Sequence, residues 1–210
     1  MYYAAFDIGN VLVHIDFSPF EKCWRKWILN IGRRSEPPEH YMDFLNDLHG
    51  QQDVGLTTVS RHLKERFGFS RYLQSEFEEA WNQIIIPNKQ MMDFLKELEH
   101  QDVKIALLSN MGLEHATFIR ESLPELFQGR LLHLSCEVGA RKPTKLYYQS
   151  FLQDHDEFTC CTYVDDLDRN LQVGETYGFN CFKFELDKEE GEVSKDILDS
   201  LRKNIFGIDI

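Results

Sequence analysis

Apolar positions along this chain fall into short unbroken runs, separated by stretches with helical spacing. Tyr2-Tyr3-Ala4-Ala5-Phe6 is apolar and aromatic and stops at Asp7-Ile8-Gly9-Asn10, the pattern of a buried strand entering a tight turn. Residues 104–108 (KIALL) stop at Ser109-Asn110 in the same way. Residues 130–134 (RLLHL) form a weaker run ending at Ser135, 160–164 (CCTYV) end at Asp165-Asp166, and 180–184 (NCFKF) complete the set. Between them, residues 90–98, 147–152, 170–177 and 196–201 space their apolar side chains as helices do, the second continuing a helix opened by Pro143. Strands alternating with helices predict an α/β fold: a Rossmann-like parallel five-stranded sheet sandwiched by helices, its crossovers right-handed.

Residues 16–86 break that alternation. They are rich in helix formers and in aromatics (Phe17, Phe20, Trp24, Trp27, Tyr41, Phe44, Phe67, Phe77 and Trp81), with Pro37-Pro38 and Gly68 as punctuation. This reads as a helical insertion after the first strand, its aromatic stripe a packing seam, with Pro87 marking the return. Two domains follow: an α/β core of residues 1–15 and 87–210, and a helical unit of residues 16–86. The acidic run at 187–192 reads as a solvated loop.

Composition narrows the function classes. A net charge of −12 disfavours a nucleic-acid surface and requires local cations or a metal wherever an anion binds. No apolar run is long enough for a membrane span, and Met1-Tyr2-Tyr3-Ala4 lacks the charged region of a signal peptide. Five cysteines without metal-site or disulfide spacing read as buried free thiols in a reducing cytosol, so a cytoplasmic protein is expected. Cys160 and Cys161 would face opposite sides of one strand.

The candidate chemistry lies where strands end. In an open parallel sheet, the carboxyl ends of the strands line the ligand crevice. Asp7, Ser109, Asp165 and Asp166 would converge there, with Lys142 brought in ahead of Pro143. An aspartate closing so apolar a strand as the first points to function, whereas Lys142 alone would read as a surface lysine.

At these residues the chain resembles the haloacid dehalogenase (HAD) superfamily. The matching pieces are Phe6-Asp7-Ile8-Gly9-Asn10-Val11-Leu12, Leu107-Leu108-Ser109-Asn110, Gly139-Ala140-Arg141-Lys142-Pro143, and Val164-Asp165-Asp166 followed by Asn170. The resemblance spans the whole chain and makes residues 16–86 the family's cap, set over the carboxyl end of a sheet ordered 5-4-1-2-3. It implies a Mg²⁺-dependent phosphomonoester hydrolase in which Asp7 attacks phosphorus and forms an aspartyl-phosphate. Asp7, the Gly9 carbonyl and Asp166 would hold the metal, with Asp165 orienting a ligand from behind. Lys142 would offset the repulsion between nucleophile and substrate, and Ser109 would donate to a phosphoryl oxygen. Backbone N–H groups of Ile8, Gly9 and Asn110 would complete the cradle, and Asn10 and His14 would lie against substrate. The expected partner is a small phosphorylated metabolite bound by a monomer or weak homodimer.

The chain departs from the family at Gly9, where most of its phosphatases carry an aspartate that protonates the leaving group; losing such an acid costs about 10²–10⁴ in rate. Three readings follow. The substrate has a good leaving group, such as a sugar-1-phosphate or acyl phosphate. Another residue, such as His14 or Asp16, or a metal-bound water supplies the proton. Or the protein binds phosphate with little or no turnover. The Asp-x-Gly-Asn opening resembles a bacterial subgroup that includes a glucose-1-phosphate phosphatase, which favours the first reading. A 2-haloacid dehalogenase is the remaining alternative, but Asp165-Asp166 would repel its carboxylate substrate. Arg141 and Arg169 read as solvated charges, and the eight histidines show no ligand spacing.

Overall fold

The computed structural model describes residues 1–30, 41–186 and 193–207. In chain order the core opens with β1 (Tyr2–Phe6) and β2 (Val13–Ile15). Helices α1 (Ser18–Asn30), α2 (Tyr41–Gln52), α3 (Val59–Phe67) and α4 (Arg71–Asn82) follow. The chain returns through β3 (Ile85–Pro87), α5 (Lys89–His100), β4 (Val103–Ser109), α6 (Leu113–Ser122) and the short α7 (Pro124–Phe127). It continues with β5 (Leu131–Leu134), the short α8 (Ser135–Val138) and α9 (Lys145–Asp154), then β6 (Thr162–Asp165), α10 (Asp168–Thr176), β7 (Asn180–Lys183) and α11 (Lys195–Phe206).

Five strands form one sheet in the order β5-β4-β1-β6-β7, every pairing parallel. Counting only its strands along the chain, this is the order 5-4-1-2-3. Alternation divides the side chains between two faces. Ala4, Phe6, Ile105, Leu107 and Val164 pack with α5, α6 and α11, while Ala5, Ala106, Leu108 and Tyr163 pack with α9 and α10. Burial on both faces explains why these strands read as continuous apolar runs.

The helix ends follow local chemistry. Asn88 caps α5 by accepting from the Met91 N–H, Ser194 caps α11 by accepting from that of Ile197, and Gly207 ends α11 in the left-handed region. Helices α1–α4 meet along the aromatic stripe. The Phe20 ring lies 5.0 Å from Trp81 and 5.3 Å from Phe77, and Trp24 lies 4.6 Å from Phe44.

Several local expectations change. The segment 16–86 is framed by an antiparallel ribbon, with Val13 opposite Pro87 and Ile15 opposite Ile85. Its three-residue strands are too short to leave a pattern in the sequence. Cys160 is exposed at φ 66°, so β6 starts two residues later and the Cys160-Cys161 pair spans a turn. Cys23 and Cys181 are only half-buried, so the cysteines are not uniformly core residues. Helix α9 begins at Lys145, and Pro143 sits in the preceding turn after a cis peptide bond. Pro37-Pro38 and the acidic run at 187–192 lie outside the described residues. No helix among those described is long and apolar enough to cross a membrane.

Candidate active site

The site starts where β1 stops. The Asp7 N–H donates to the Val164 carbonyl at 2.8 Å, extending the parallel ladder by one bond and fixing the carboxylate at the sheet's edge. The Ile8 carbonyl then accepts from Leu12 and Val13, both at 2.9 Å, closing a tight turn. Asn10 occupies the left-handed region in that turn, at φ 56°, a conformation that asparagine tolerates.

Lys142 joins three elements. It is 1% exposed, and its ammonium lies 3.0 Å from Asp7 Oδ1, 2.7 Å from Asp165 Oδ2 and 2.7 Å from the Leu108 carbonyl. Three donors meet three acceptors, so the charge is fully committed. Burial alone would lower the lysine's pKa, but Asp165 and Asp7 outweigh it and hold the ammonium above the ordinary range. Asn110 clasps the same residue's backbone: its Oδ1 accepts from the Lys142 N–H at 2.7 Å and its Nδ2 donates to the Lys142 carbonyl at 2.9 Å. The Asn110 side chain is thus spent on positioning Lys142 rather than on a ligand.

Asp165 is saturated as well. Lys142, the Tyr163 hydroxyl, Asn170 Nδ2 and the Leu167 N–H all donate to its fully buried carboxylate. Burial opposes its ionisation, and Lys142 with these hydrogen bonds reverses that, holding it below the usual carboxylate range. Asp7 goes the other way: burial raises it against the pull of Lys142, and Asp165 and Asp166 add to the rise. Its Oδ1 accepts from the Ile8 N–H at 2.6 Å as well as from Lys142, which leaves Oδ2 as its oxygen without a donor among the described residues. Asp166 is half-buried and accepts from Asn10 Nδ2 at 3.3 Å, while Asn10 Oδ1 accepts from the Ile15 N–H at 3.2 Å. Asn10 therefore ties the Asp166 carboxylate to the ribbon.

Oxygens of Asp7, Asp165 and Asp166 lie within 4.8 Å of one another. Three carboxylates facing one ammonium leave an excess of negative charge, and an all-oxygen set suits a hard divalent cation.

These residues open onto a cavity of about 310 Å³ lined by Asp7, Gly9, Asn10, Ser109, Asn110, Lys142 and Asp166. Its opposite wall comes from the helical segment: Phe17, His49, Gln52, Asp53 and Trp81. His115, Arg141 and Arg169 also reach it. Arg141 pairs with Asp53 at 3.3 Å and donates to the His49 carbonyl at 3.3 Å, so it is no simple solvated charge. His115 stacks on Trp81 at 4.9 Å, with its Nε2 2.9 Å from the Trp81 carbonyl oxygen. Burial pushes both His49 and His115 down to about 4, so both rings are neutral at neutral pH.

His14 does not belong here. On β2 it points outward opposite Ile86 while Val13 and Ile15 turn inward, so it is exposed and outside the cavity lining. Asp16 is likewise absent from the lining, its carboxylate accepting from the Ser18 N–H and hydroxyl. The Ile8 N–H, expected in the cradle, is spent on Asp7 itself.

No protein-family model matches the chain. Solved structures do resemble it. A HAD family enzyme from Bacteroides thetaiotaomicron superposes with a TM-score of 0.73 at 19% identity, over 90% of this chain and 96% of that one. The same enzyme in complex with magnesium and inorganic phosphate gives 0.70 at 20% identity, over 88% and 94%. An L-2-haloacid dehalogenase gives 0.58 at 14% identity, over 97% and 99%. At these identities the likeness establishes a common fold.

Proposed function

We propose that this chain is a magnesium-dependent phosphohydrolase of the HAD type with Asp7 as nucleophile. The observation that carries the reading is Lys142: a buried ammonium bridging Asp7 and Asp165 beneath a cavity whose floor also holds Asp166. The fold shared with a HAD family enzyme crystallised with magnesium and phosphate supports it.

Asp7 and Asp166 are the carboxylates that would hold magnesium, with the Gly9 carbonyl beside them. Asp165 has no oxygen to spare and serves by fixing Lys142. When bound, the metal supplies positive charge against the phosphoryl oxygens and the acidic cluster. Asp7 Oδ2 then attacks phosphorus, the bond to the leaving oxygen breaks, and an aspartyl-phosphate results. Water attacks that phosphorus, the bond to Asp7 breaks, and phosphate leaves. Lys142 pulls the Asp7 carboxyl toward its ionised form against the effect of burial, and Ser109, buried at the end of β4, donates to a phosphoryl oxygen. The cavity lies at the small end of ligand sites, which span about 300–1,000 Å³. Phe17 and Trp81 offer it an apolar wall beside polar Asp53 and Arg141, a combination suited to a sugar phosphate. A half-buried second acid at Asp166 disfavours a haloacid carboxylate in the same place.

A phosphate-release assay over a panel of sugar and other small phosphates tests this. Release is expected with Mg²⁺, suppressed by EDTA and restored by added Mg²⁺. Asp7→Asn is expected to lower it by roughly 10³–10⁶ without unfolding the protein. EDTA-insensitive release would remove the metal, and normal turnover in Asp7→Asn would remove covalent catalysis.

A further inference from the structure

Gly9 leaves the core without a proton donor for the leaving group, and the backbone does not impose that absence. Its φ is outside the left-handed region, and a Cβ there would meet only Ile15 Cγ1, at 3.8 Å. The turn has room for a side-chain Cβ at this position. On the core side, Asp7 and Asp166 are occupied as nucleophile and metal ligand, and Lys142 has no free donor. His14 and Asp16 lie off the cavity. The remaining acids and bases of the lining include His49 and His115, both neutral at neutral pH, and Asp53.

We propose that Asp53, from the helical segment, is the catalytic acid and base that the core lacks at Gly9. It follows directly on α2, and its side chain is 13% exposed against the same cavity as Asp7. Arg141 fixes it. The Arg141 guanidinium holds Asp53 Oδ2 at 3.3 Å and the His49 carbonyl at 3.3 Å, which pins the last turn of α2. Arg141 is also the chain neighbour of Lys142, whose ammonium touches Asp7. Proton donor and nucleophile are thus referenced to adjacent residues of one loop. Burial pushes the Asp53 carboxyl up to about 6, against the pull of Arg141 and Lys142, close to where an acid that must later act as a base is most useful.

The step rests on the reading of Asp7 as phosphoryl nucleophile. As the Asp7 oxygen bonds to phosphorus, the ester P–O bond breaks and the Asp53 carboxyl gives its proton to the departing oxygen. The Asp53 carboxylate then takes a proton from the water that attacks the aspartyl-phosphate. Phosphate leaves, and both carboxyls return to their starting states. Arg141 is the positioning residue.

A purely structural Asp53–Arg141 clamp would make a different prediction, and a leaving-group series separates the two. kcat/KM is measured for wild type and Asp53→Asn on phosphomonoesters from 4-nitrophenyl phosphate to glycerol-3-phosphate. Asparagine keeps an oxygen for Arg141 and removes the proton. Alkyl esters are expected to fall by about 10²–10⁴, the range for a lost general acid, and the aryl ester far less. The wild type itself should show a shallow dependence on leaving-group pKa, a readout that stands even if the variant fails to fold. A uniform fall across the series, an unaffected alkyl ester, or a steep wild-type dependence overturns the assignment of Asp53. Absence of release by wild type from every ester, aryl included, defeats instead the phosphohydrolase reading on which it stands.

Discussion

On the core wall of the cavity the polar groups around Lys142 are spoken for. Lys142 has three acceptors, Asp165 is ringed by donors, and Asn110 is locked in both directions to the Lys142 backbone. On the facing wall the polar groups are sparsely held: His49 Nε2 is buried with no partner, and Asp53 answers to Arg141 alone among the described residues. The core wall descends from strand ends locked by a parallel ladder, and directional hydrogen bonds hold its charged groups. The helical wall rests on the burial of apolar surface, a non-directional force that fixes helices rather than individual polar atoms. One wall holds its charged groups in a fixed arrangement around Asp7. The other keeps unspent hydrogen-bonding capacity.

The sharpest test of that contrast removes the cation from the core wall. Lys142→Met leaves Asp7 and Asp165 buried and uncompensated. The expected cost is about 3–5 kcal/mol at pH 8, together with loss of activity, because breaking a buried ion pair strands its partners. The deficit should shrink as pH falls and the stranded carboxyls protonate. Urea denaturation at pH 5 and pH 8 reads both effects. A loss below ~1 kcal/mol, the worth of an exposed pair, would mean that Lys142 is not integral to the wall.

A matching substitution in the helical wall should behave differently. Trp24 is 2% exposed and packs on Phe44, Trp27 and Phe67, away from the cavity lining. Trp24→Ala is expected to cost about 3–5 kcal/mol through the void it leaves. Yet the core wall stays assembled, so catalysis should survive at low temperature with KM rising more than kcat falls. Loss of kcat as complete as in Lys142→Met would show that the two walls are one cooperative unit.

The same contrast explains what could be read from the chain. Asp7, Ser109, Asp165 and Asp166 were legible because buried parallel strands are unbroken apolar runs, and the residues that close them mark one edge of the sheet. Lys142 was legible only beside those. His49, Asp53, His115 and Trp81 carry no such signal, since their place at the cavity depends on how helices from a separate segment pack against loops far away in sequence. Arg141 reads as a solvated charge in the sequence for that reason, whereas Arg169, though it reaches the cavity, is exposed. His14 failed on a local rule: in a strand as short as β2, neighbours face opposite ways, and Val13 and Ile15 took the inward positions. Cys160 failed because an apolar run can extend past the pairing, and nothing in the run announces the left-handed turn before Thr162.

The smallest expected effect lies on the seam where the two walls meet. Glu114, on α6, accepts from the N–H of Val59 at the start of α3 at 2.6 Å and from Gln52 Nε2 at 2.9 Å. It thus ties the core to the helical segment through a helix N-terminus, whose free N–H groups favour an acceptor. Burial pushes its carboxyl from the ordinary 4.5 up to about 7; hydrogen bonds from Val59, Ser60 and Gln52 pull down only in part, and Glu78 adds repulsion. The native state therefore holds a proton that the unfolded chain has released between about pH 4.5 and 7. With the folded pKa raised, this group's contribution is fully present below 4.5 and is lost as pH rises through 7. Glu114→Gln keeps a carbonyl oxygen for the Val59 N–H and removes the titration. The stability difference between wild type and variant should move against wild type by on the order of 2 kcal/mol from pH 4.5 to 8, after discounting for partial exposure. Taking the difference cancels Asp7 and Asp53, which titrate upward in both proteins. If the two stability profiles run parallel with pH, the carboxylate is already paired and solvated at the seam. The helical wall would then dock by apolar packing and the β2–β3 ribbon, without a titrating contact of its own.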